Sequence, residues 1–472
     1  MGRGFSGLIT MPNLLSIYHN LPYPLRVLGA SLKGYQLHWW RYGTETEDLV
    51  EAALERDYWP QKRWEEWQKE RLGYILNKVA TEVPYYRDQW RKRRTQGDTA
   101  SWMLLENWPV LKKEDVRKEP KKFICDSSKR KRMYLEHTSG STGTPLSLWQ
   151  SKETLRKSYA IYEARVRRWH GVSFKDRWGI LGGQMVAKPD ATTPPFWVWN
   201  QAFKQLYLSS YHISLANAKD YHQAIRDYEL KYILTYPSAL SSLARMFQDL
   251  DLPVIPLKLV ISNAEPLFDY QVDLIKQSFN CDLINTYGIS ELTVGGSECK
   301  YGNIHLWPEY GFTEIMAVDK DIVLPMGQMG RIITTGLINE DMPLIRYEVG
   351  DLGSLSNKQC ECGRSLPVLE KIEGRMDDVL ISIDGRRVGR MDPIFKADIP
   401  IKEAQIIQEK NDQIRLMFVP ADGFDHDDVL INLIQDRLGP MKVILEAVDR
   451  IPRGPNGKFK AVIRSEKVVI PS

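Results

Sequence analysis

The sequence lacks any apolar run that approaches the ~20 residues needed to span a membrane. Its apolar N-terminal stretch, Met11 to Tyr18, is followed closely by Asn20, Pro22, Pro24 and Arg26. These residues interrupt the hydrophobic segment that a secretory signal requires. We therefore expect a cytoplasmic protein with no membrane span.

Cysteine is scarce, and its number is odd. An odd count in a long chain disfavours a disulfide framework and favours either a reducing compartment or a metal site. The five cysteines in the 472 residues are Cys125, Cys281, Cys299, Cys360 and Cys362.

The sequence also lacks a strong excess of either charge, with a formal net charge of +4 at pH 7. A balance of this size predicts no polyanionic partner. The basic run from Lys112 to Arg132 contains few aromatic residues, so we interpret it as a solvated loop and expect no nucleic-acid partner. A chain of 472 residues is too long for one ordinary core, and two or more domains are expected.

The first hundred residues have a helical pattern rich in Trp, Arg and Glu. Residues Asp57 to Tyr86 carry apolar side chains at mixed three- and four-residue spacing, which predicts an amphipathic helix packed on a larger body. The tryptophans of this region are interpreted as core residues, not as a cofactor site.

A short loop rich in glycine and hydroxyl side chains follows this region. Glycines allow a backbone to direct its N–H groups at an anion, and hydroxyls add further donors. No Gly-Lys-Ser/Thr follows at the required spacing, so this is not a Walker A loop. The loop is either a polar surface turn or a phosphate cradle between two strands. Its core residues are Ser139, Gly140, Ser141, Thr142 and Gly143.

Beyond this loop, strand and helix patterns alternate as far as Thr286, which predicts a parallel sheet in an α/β fold. Ligands bind such sheets beyond the carboxyl ends of the strands. Two turns fall there, Ser262 to Pro266 and Tyr287 to Glu291. Short strands from Gly302 to Asp351, including a predicted strand at Leu344 to Tyr347, then indicate a smaller β subdomain.

The last segment begins at a turn, Gly374 to Leu380, and has its own strand and helix signals. It ends in an exposed-looking Gly/Pro-rich loop, Pro452 to Lys458. A small C-terminal lid domain is the expected structure.

Five motifs in one order resemble those of the adenylate-forming enzymes. Within this superfamily the chain resembles the phenylacetate–CoA ligase family, most closely its capsule-biosynthesis (CapK-like) branch. The motifs are Thr138 to Pro145, Tyr287 to Glu291, Arg346 to Leu352, Gly374 to Val379 and Pro452 to Lys458.

The resemblance implies a nucleotide site. The loop residues 139–143 would hold the β- and γ-phosphates, Ala264, Glu265 and Pro266 would line the adenine slot, and Tyr287 and Gly288 would cover the ring. Asp351 would accept the ribose hydroxyls. Ser290 would face the α-phosphate, and Glu291 would hold Mg²⁺.

The resemblance also implies roles for the C-terminal lid. Lys458 would bridge carboxylate and phosphate oxygens, Arg375 would contact phosphate or ribose, and Asp377 would act as the hinge. Leu146 stands where many adenylating enzymes have a lysine. That positive charge must then come from Lys458, Arg375 or Mg²⁺.

Cys299, His305, Cys360 and Cys362 form a second candidate site. Three thiolates and one imidazole can complete a tetrahedral zinc site, although Cys-x-Cys is tighter than the usual Cys-x₂-Cys. Two unrelated free-thiol sites are the alternative. With all four positions filled by protein, the zinc would be structural.

The predicted protein has an adenylation domain over residues 1–374, with parallel sheets and a β subdomain, and an α+β lid over residues 375–472. It would activate a carboxylic acid with ATP and Mg²⁺ and transfer the acyl group to coenzyme A, as a monomer or homodimer. Capsular or exopolysaccharide biosynthesis is the pathway that the resemblance suggests. The alternatives are acyl transfer to an amine on a sugar or carrier protein, and a non-catalytic scaffold in a polysaccharide pathway.

Overall fold

The computed structural model describes residues 17–138, 146–188, 190–375, 380–384, 387–388, 399–421, 423–454, 459–465 and 468. The N-terminal part is helical, as the sequence predicts. The segment predicted as one helix from Asp57 to Tyr86 is divided, because Pro84 disfavours a helical conformation at Val83, which is extended. The helices are α1 (Tyr23–Arg41), α2 (Thr46–Arg56), α3 (Gln61–Glu82) and α4 (Pro84–Thr95).

Trp64 and Trp90 of this region lie in the core, as expected, whereas Trp39 of α1 is exposed. Trp90 and Trp108 are buried with Ile75 and Leu76 of α3, and their rings meet edge to face at a centroid distance of 5.2 Å. The same cluster includes Tyr347 from much later in the chain. The helical region is therefore packed onto the body of the protein.

Strands and helices alternate through the middle of the chain. Strands β3 and β5 to β8 run parallel, and β4 is an antiparallel edge strand. The sequence interpretation did not assign β3 to β5. The elements are α5 (Lys113–Lys118), β1 (Tyr134–His137), β2 (Ser147–Gln150), α6 (Lys152–Tyr162), β3 (Trp178–Gly182), β4 (Trp197–Asn200), β5 (Gln205–Ser209), α7 (Ala218–Asp227), β6 (Tyr232–Thr235), α8 (Pro237–Asp249), β7 (Leu259–Ser262), α9 (Asp269–Phe279) and β8 (Asp282–Gly288).

The predicted β subdomain is present and continues the parallel sheet. Its strands are β9 (Gly295–Glu298), β10 (Ile304–Leu306), β11 (Gly311–Met316), β12 (Gly330–Gly336), β13 (Tyr347–Leu355) and β14 (Val368–Arg375). Because β9 pairs with β8, all these strands belong to one 12-stranded sheet of order β11-β12-β13-β14-β10-β9-β8-β7-β6-β3-β5-β4.

One predicted strand is wrong. Leu344 to Arg346 do not belong to a strand, and β13 begins at Tyr347. Arg346 has a φ of 47°, in the left-handed region, which interrupts an extended chain. Its guanidinium instead forms two hydrogen bonds with the Glu314 carboxylate, at 3.1 and 3.0 Å.

The C-terminal segment has the expected α+β composition. A sheet of order β19-β18-β17-β20 packs against α10. Arg375, at the proposed boundary between domains, still pairs through its backbone with Asp351 of the large sheet. The elements are β15 (Leu380–Ile381), β16 (Arg387–Val388), β17 (Ile401–Lys410), β18 (Gln413–Pro420), α10 (Asp427–Leu438), β19 (Lys442–Ala447) and β20 (Val462–Arg464).

A buried ionic network joins the N-terminal helices to the sheet. Helix α6 continues as a π-helical turn, Glu163–Arg167, that directs Arg165 into the interior. The Arg165 guanidinium donates to Asp57 Oδ1 at 2.7 Å and to both Glu309 oxygens at 2.7 and 2.9 Å. Its side chain has no exposed surface.

The described helices include none that is long and apolar enough to cross a bilayer.

We expect Arg165→Met to lower the free energy of unfolding by about 3–5 kcal/mol, because two buried carboxylates would lose their shared cation. As ionic partners, Asp57 would keep Arg364 at 3.6 Å and Glu309 would keep Arg56 at 2.8 Å. Urea unfolding followed by tryptophan fluorescence measures this change. Lys122→Met is the matched control, since Lys122 forms a half-exposed pair with Glu119 and its loss should change the free energy of unfolding far less. Equal losses in the two variants would contradict the prediction.

Candidate active site

The Gly/Ser/Thr loop connects two antiparallel strands, β1 and β2. At its base the Thr138 N–H donates to the Leu146 carbonyl at 3.0 Å, and the Leu146 N–H donates to Thr138 Oγ1 at 2.9 Å. The two ends of the loop are therefore held together. Its residues 139–143, expected to bind phosphate, lie outside the described part of the chain.

This hairpin is linked to the turn after β8. The Gln150 side-chain amide, at the end of β2, donates to the Ser290 carbonyl at 3.3 Å. Gly288 closes β8 opposite Gly295 of β9. Gly288 and Ser290 are both exposed. Two motifs that are remote in sequence thus meet at one edge of the sheet.

Tyr287 and Asp351, expected to contact adenine and ribose, are in direct contact. The Tyr287 hydroxyl donates to Asp351 Oδ2 at 2.9 Å. Tyr287 belongs to β8 and Asp351 to β13, and three strands lie between them in the sheet. A flat sheet would hold β8 and β13 about 19 Å apart. The sheet must therefore curl to bring these residues together.

Glu291, the expected Mg²⁺ ligand, is buried and already partnered. The Tyr347 hydroxyl donates to Glu291 Oε1 at 2.7 Å. Burial, and then the Glu291 carboxylate, raise the pKa of Tyr347 above its usual value, which keeps this hydroxyl a donor. The Lys113 Nζ lies 3.4 Å from the same oxygen.

Lys113 is the residue that the sequence interpretation missed. It begins α5 within the basic run that was interpreted as a solvated loop. Neighbouring Lys112 pairs instead with Glu348 at 2.6 Å and is half exposed. No local pattern distinguishes the two lysines, because their difference depends on the packing of α5 against β13.

Glu265, expected to line the adenine slot, lies at a junction with the C-terminal segment. The Ser238 N–H, in the first turn of α8, donates to Glu265 Oε2 at 3.1 Å. The Phe459 N–H donates to Glu265 Oε1 at 2.6 Å. Burial raises the pKa of Glu265, and the hydrogen bonds partly offset this effect. Ala264 and Pro266, on either side, are exposed.

Three non-glycine residues with positive φ lie in the motifs that form this site. They are Ala264 at 65°, Leu292 at 55° and Arg346 at 47°. Such conformations cost of order 1–3 kcal/mol each and persist where the surroundings enforce them. Each of these three residues is adjacent in sequence to a residue of the candidate site: Ala264 to Glu265, Leu292 to Glu291 and Arg346 to Tyr347.

The predicted lid residues are only partly described. Arg375 is the last residue of β14, where its backbone pairs with Asp351; its side chain is not described. Lys458 and Asp377 lie outside the described residues. The described residues that flank this gap are Gly454 and Phe459, and the Phe459 N–H donates to Glu265.

The four predicted zinc ligands come together in the folded chain. Cys299 follows β9, His305 lies in β10, and Cys360 and Cys362 lie in the connection between β13 and β14. All their ligand atoms lie within 4.8 Å of one another. The Cys299 and Cys360 sulfurs are 3.7 Å apart, and Cys362 Sγ is 3.3 Å from His305 Nε2.

The surroundings orient these side chains. His305 Nδ1 lies 3.2 Å from the Leu366 carbonyl, so an N–H there would leave Nε2 as the free ligand atom. Cys360 Sγ accepts from the Asn303 side chain at 3.3 Å and from the Cys362 N–H at 3.5 Å. Cys125 and Cys281 are outside the cluster, and burial raises the pKa of each thiol to about 12.

Residues 380–465 match the family described as the CapK C-terminal domain. The chain is 25% identical to protein CapK of Staphylococcus aureus over 469 residues, covering 96% of this chain and 99% of CapK. The chain is thus similar to CapK along nearly its whole length. The resemblance stated from the motifs is confirmed.

The chain is also similar to two coenzyme A ligases. The phenylacetate–coenzyme A ligase of Pseudomonas putida is 27% identical over 327 residues, covering 66% of this chain and 71% of that protein. The structure of 2-hydroxyisobutyryl-CoA ligase in the postadenylation state, in complex with R3-HIB-AMP, superimposes with a TM-score of 0.68 at 19% identity. It covers 87% of this chain and 91% of that one. The predicted α/β fold with a C-terminal domain is therefore confirmed.

We expect Glu265→Ala to weaken the contact between the Phe459 backbone and the large sheet. Both amides would lose a charged acceptor, which costs about 1–3 kcal/mol. Hydrogen exchange measured by mass spectrometry should show roughly tenfold lower protection, equivalent to about 1.4 kcal/mol, in peptides that contain Phe459 or Ser238.

The control is Glu409→Ala, a carboxylate on the β17–β18 hairpin that binds Arg415 and Gln413. It should leave these two peptides unchanged. Unaltered protection at Phe459 in Glu265→Ala would show that the contact is not maintained in solution.

Proposed function

We propose that the protein is an AMP-forming acid–thiol ligase. A carboxylate oxygen of the substrate attacks the α-phosphorus of ATP, the bond to pyrophosphate breaks, and an acyl-AMP forms. The thiolate of coenzyme A then attacks the acyl carbon and displaces AMP. The observation that carries this proposal is the meeting of Tyr287, Asp351, Glu291 and Lys113 beyond the carboxyl end of β8. The phenylacetate–coenzyme A ligase relatives support the same reaction class.

Tyr287 and Asp351 would bind the adenosine. The Tyr287 ring would cover the adenine, and its hydroxyl holds the Asp351 carboxylate in place. A carboxylate has two acceptor oxygens, which suits the two ribose hydroxyls. Gly288, Ala264 and Pro266 are small or rigid and exposed around this position, where a base needs room.

Glu291 and Lys113 would act at the phosphates. Mg²⁺ prefers carboxylate oxygens, and the buried Glu291 carboxylate fits this requirement. When bound, Mg²⁺ would neutralise phosphate charge. Lys113 lies 3.4 Å from this carboxylate and adds a positive charge that Leu146 does not supply. The hydroxyls and backbone of residues 139–143, with Ser290, would hold the phosphate oxygens in line for attack.

The C-terminal segment would supply Lys458 and Arg375 to the same site and turn about Asp377. Lys458 would bridge the attacking carboxylate and the α-phosphate, offsetting the charge that accumulates when two anions meet. The hydrogen bond between the Phe459 N–H and Glu265 supports this role, because it fixes the backbone one residue away. The proposal includes a place in capsular polysaccharide biosynthesis, because the motifs resemble the capsule-biosynthesis branch of the family and the chain is similar to CapK along 96% of its length.

This function can be tested by measuring pyrophosphate release from ATP with a panel of carboxylic acids, in the presence and absence of coenzyme A. We expect one acid class to release pyrophosphate and to form a thioester when coenzyme A is present. Lys458→Ala should slow pyrophosphate release by at least a hundredfold while nearly preserving ATP binding. Lys460→Ala, two residues away, is the matched control and should retain activity.

Pyrophosphate release at the wild-type rate in Lys458→Ala would refute the lysine assignment. Acyl-AMP formation with transfer to an amine, and none to coenzyme A, would refute thioester formation and favour amide synthesis. No ATP turnover with any acid would favour the scaffold alternative.

We further propose that Cys299, His305, Cys360 and Cys362 bind one structural zinc. Tetrahedral zinc with Zn–S bonds of about 2.3 Å separates two sulfurs by about 3.8 Å and a sulfur from a histidine nitrogen by about 3.6 Å. The corresponding distances of 3.7 and 3.3 Å fit this geometry. Four protein ligands leave no position for an activating water, so the metal would stabilise the β9, β10 and β14 region.

Metal analysis of protein purified without chelator should find about one zinc per chain. Cys362→Ser should lower both zinc content and melting temperature, because structural zinc contributes directly to folding free energy. Cys281→Ser, which changes a cysteine outside the cluster, should leave the zinc content unchanged. Zinc-free wild-type protein with full stability would contradict the proposal.

A further inference from the structure

Helix α1 leaves five of its bulky apolar side chains exposed to solvent. Its buried residues are Ser31 and Gly34. Gly34 approaches Asn200 so closely that an added Cβ would lie 2.1 Å from Asn200 Oδ1, and the Gln201 N–H donates to Ser31 Oγ at 3.1 Å. A helix that packs on a globular body ordinarily buries its large apolar face. Here the small residues are buried instead.

The outward face is a continuous apolar stripe. Its members recur at spacings of three and four residues, which places them on one side of the helix. Their side chains are between 46% and 63% exposed. The stripe consists of Leu25, Leu28, Leu32, Tyr35 and Trp39.

Charge in this part of the chain is of one sign. Residues 1–41 contribute four of the 64 basic residues and none of the 60 acidic ones, so the remainder of the chain is formally neutral. Lys33 is exposed beside the stripe, where it binds Gln36. Lys152 places its Nζ 3.4 Å from the centre of the Trp39 ring. The nearest carboxylate after α1, Glu45, is paired with Arg156.

We propose that this face, the α1 stripe with Lys33 and Lys152, binds the surface of an anionic phospholipid bilayer. Leucine, tyrosine and tryptophan are the side chains that enter the boundary between headgroups and acyl chains, and adjacent lysines bind anionic headgroups. A second copy of the chain is a less suitable occupant, because packing two stripes together would bring Lys33 and Lys152 near their like-charged equivalents. The helix would lie on the bilayer, with the adenylation site left in the surrounding water.

Flotation of the full-length protein with lipid vesicles tests this inference. We expect binding to vesicles of equal parts phosphatidylglycerol and phosphatidylcholine, and much weaker binding to phosphatidylcholine alone. Leu28→Asp/Leu32→Asp should reduce the vesicle partition coefficient by at least about tenfold, since two leucines would no longer leave water. The matched control is Ile322→Asp/Met326→Asp, which changes two comparably exposed apolar residues between β11 and β12 and should bind normally.

The charge contribution is tested separately. Lys33→Gln should weaken partitioning into phosphatidylglycerol vesicles about fivefold, and Lys320→Gln, an exposed lysine elsewhere, should not. Because Lys33 is exposed, this variant should fold as the wild type does, which thermal unfolding would verify.

Three outcomes would overturn the inference. Wild-type protein that does not float with phosphatidylglycerol vesicles, or that binds both vesicle types equally, would exclude an anionic surface as the occupant. Equal losses of vesicle binding in Leu28→Asp/Leu32→Asp and in its control would show that the stripe is not the membrane-binding surface. A dimer in sedimentation velocity that Leu28→Asp/Leu32→Asp dissociates, without vesicle binding, would assign the face to a second copy of the chain.

Discussion

Strand β8 joins the parallel part of the 12-stranded sheet to its antiparallel part, and the candidate site depends on this arrangement. Its first half, Asp282 to Asn285, pairs in parallel with β7, and its second half, Thr286 to Gly288, pairs antiparallel with β9. The transition is fixed by side chains, since the Thr286 hydroxyl donates to the Ser262 carbonyl and the Asn285 N–H donates to Glu298 Oε2. Beyond this junction the sheet curls until Tyr287 reaches Asp351.

Carboxylates at the site are held by neutral donors as well as by cations. Asp351 accepts from a tyrosine hydroxyl, Glu291 from another, and Glu265 from two backbone N–H groups. Donors of this kind orient a carboxylate without removing its negative charge. Each carboxylate is therefore oriented by its donors while it keeps its charge.

The cysteine–histidine cluster and helix α1 are attached to the rest of the chain in different ways. The cysteine–histidine cluster lies where β9, β10 and the β13–β14 connection meet. The partly buried Trp169 packs on this cluster and donates to the buried Asp57, which links the cluster to the Arg165 network. This part is internally cross-linked. Helix α1, by contrast, packs on the body with one side, which includes Ser31, Gly34 and His38, and leaves five large apolar side chains of the opposite side in solvent. This is the expected arrangement for a surface whose partner lies outside the chain.

The sequence alone determined the α/β alternation from residue 217 onward, the helix bounds at Asp269–Phe279 and Asp427–Leu438, and the grouping of Cys299, His305, Cys360 and Cys362. These features depend on local periodicity or on distinctive residue types, which a single chain displays directly. Only the tertiary structure decided that Lys113 faces Glu291, that Glu265 binds the Phe459 N–H, and that three strands between β8 and β13 curl to join Tyr287 to Asp351. Each of these contacts joins segments 60 to almost 200 residues apart, and no local pattern records such a pairing because it is specified by the packing of the whole core.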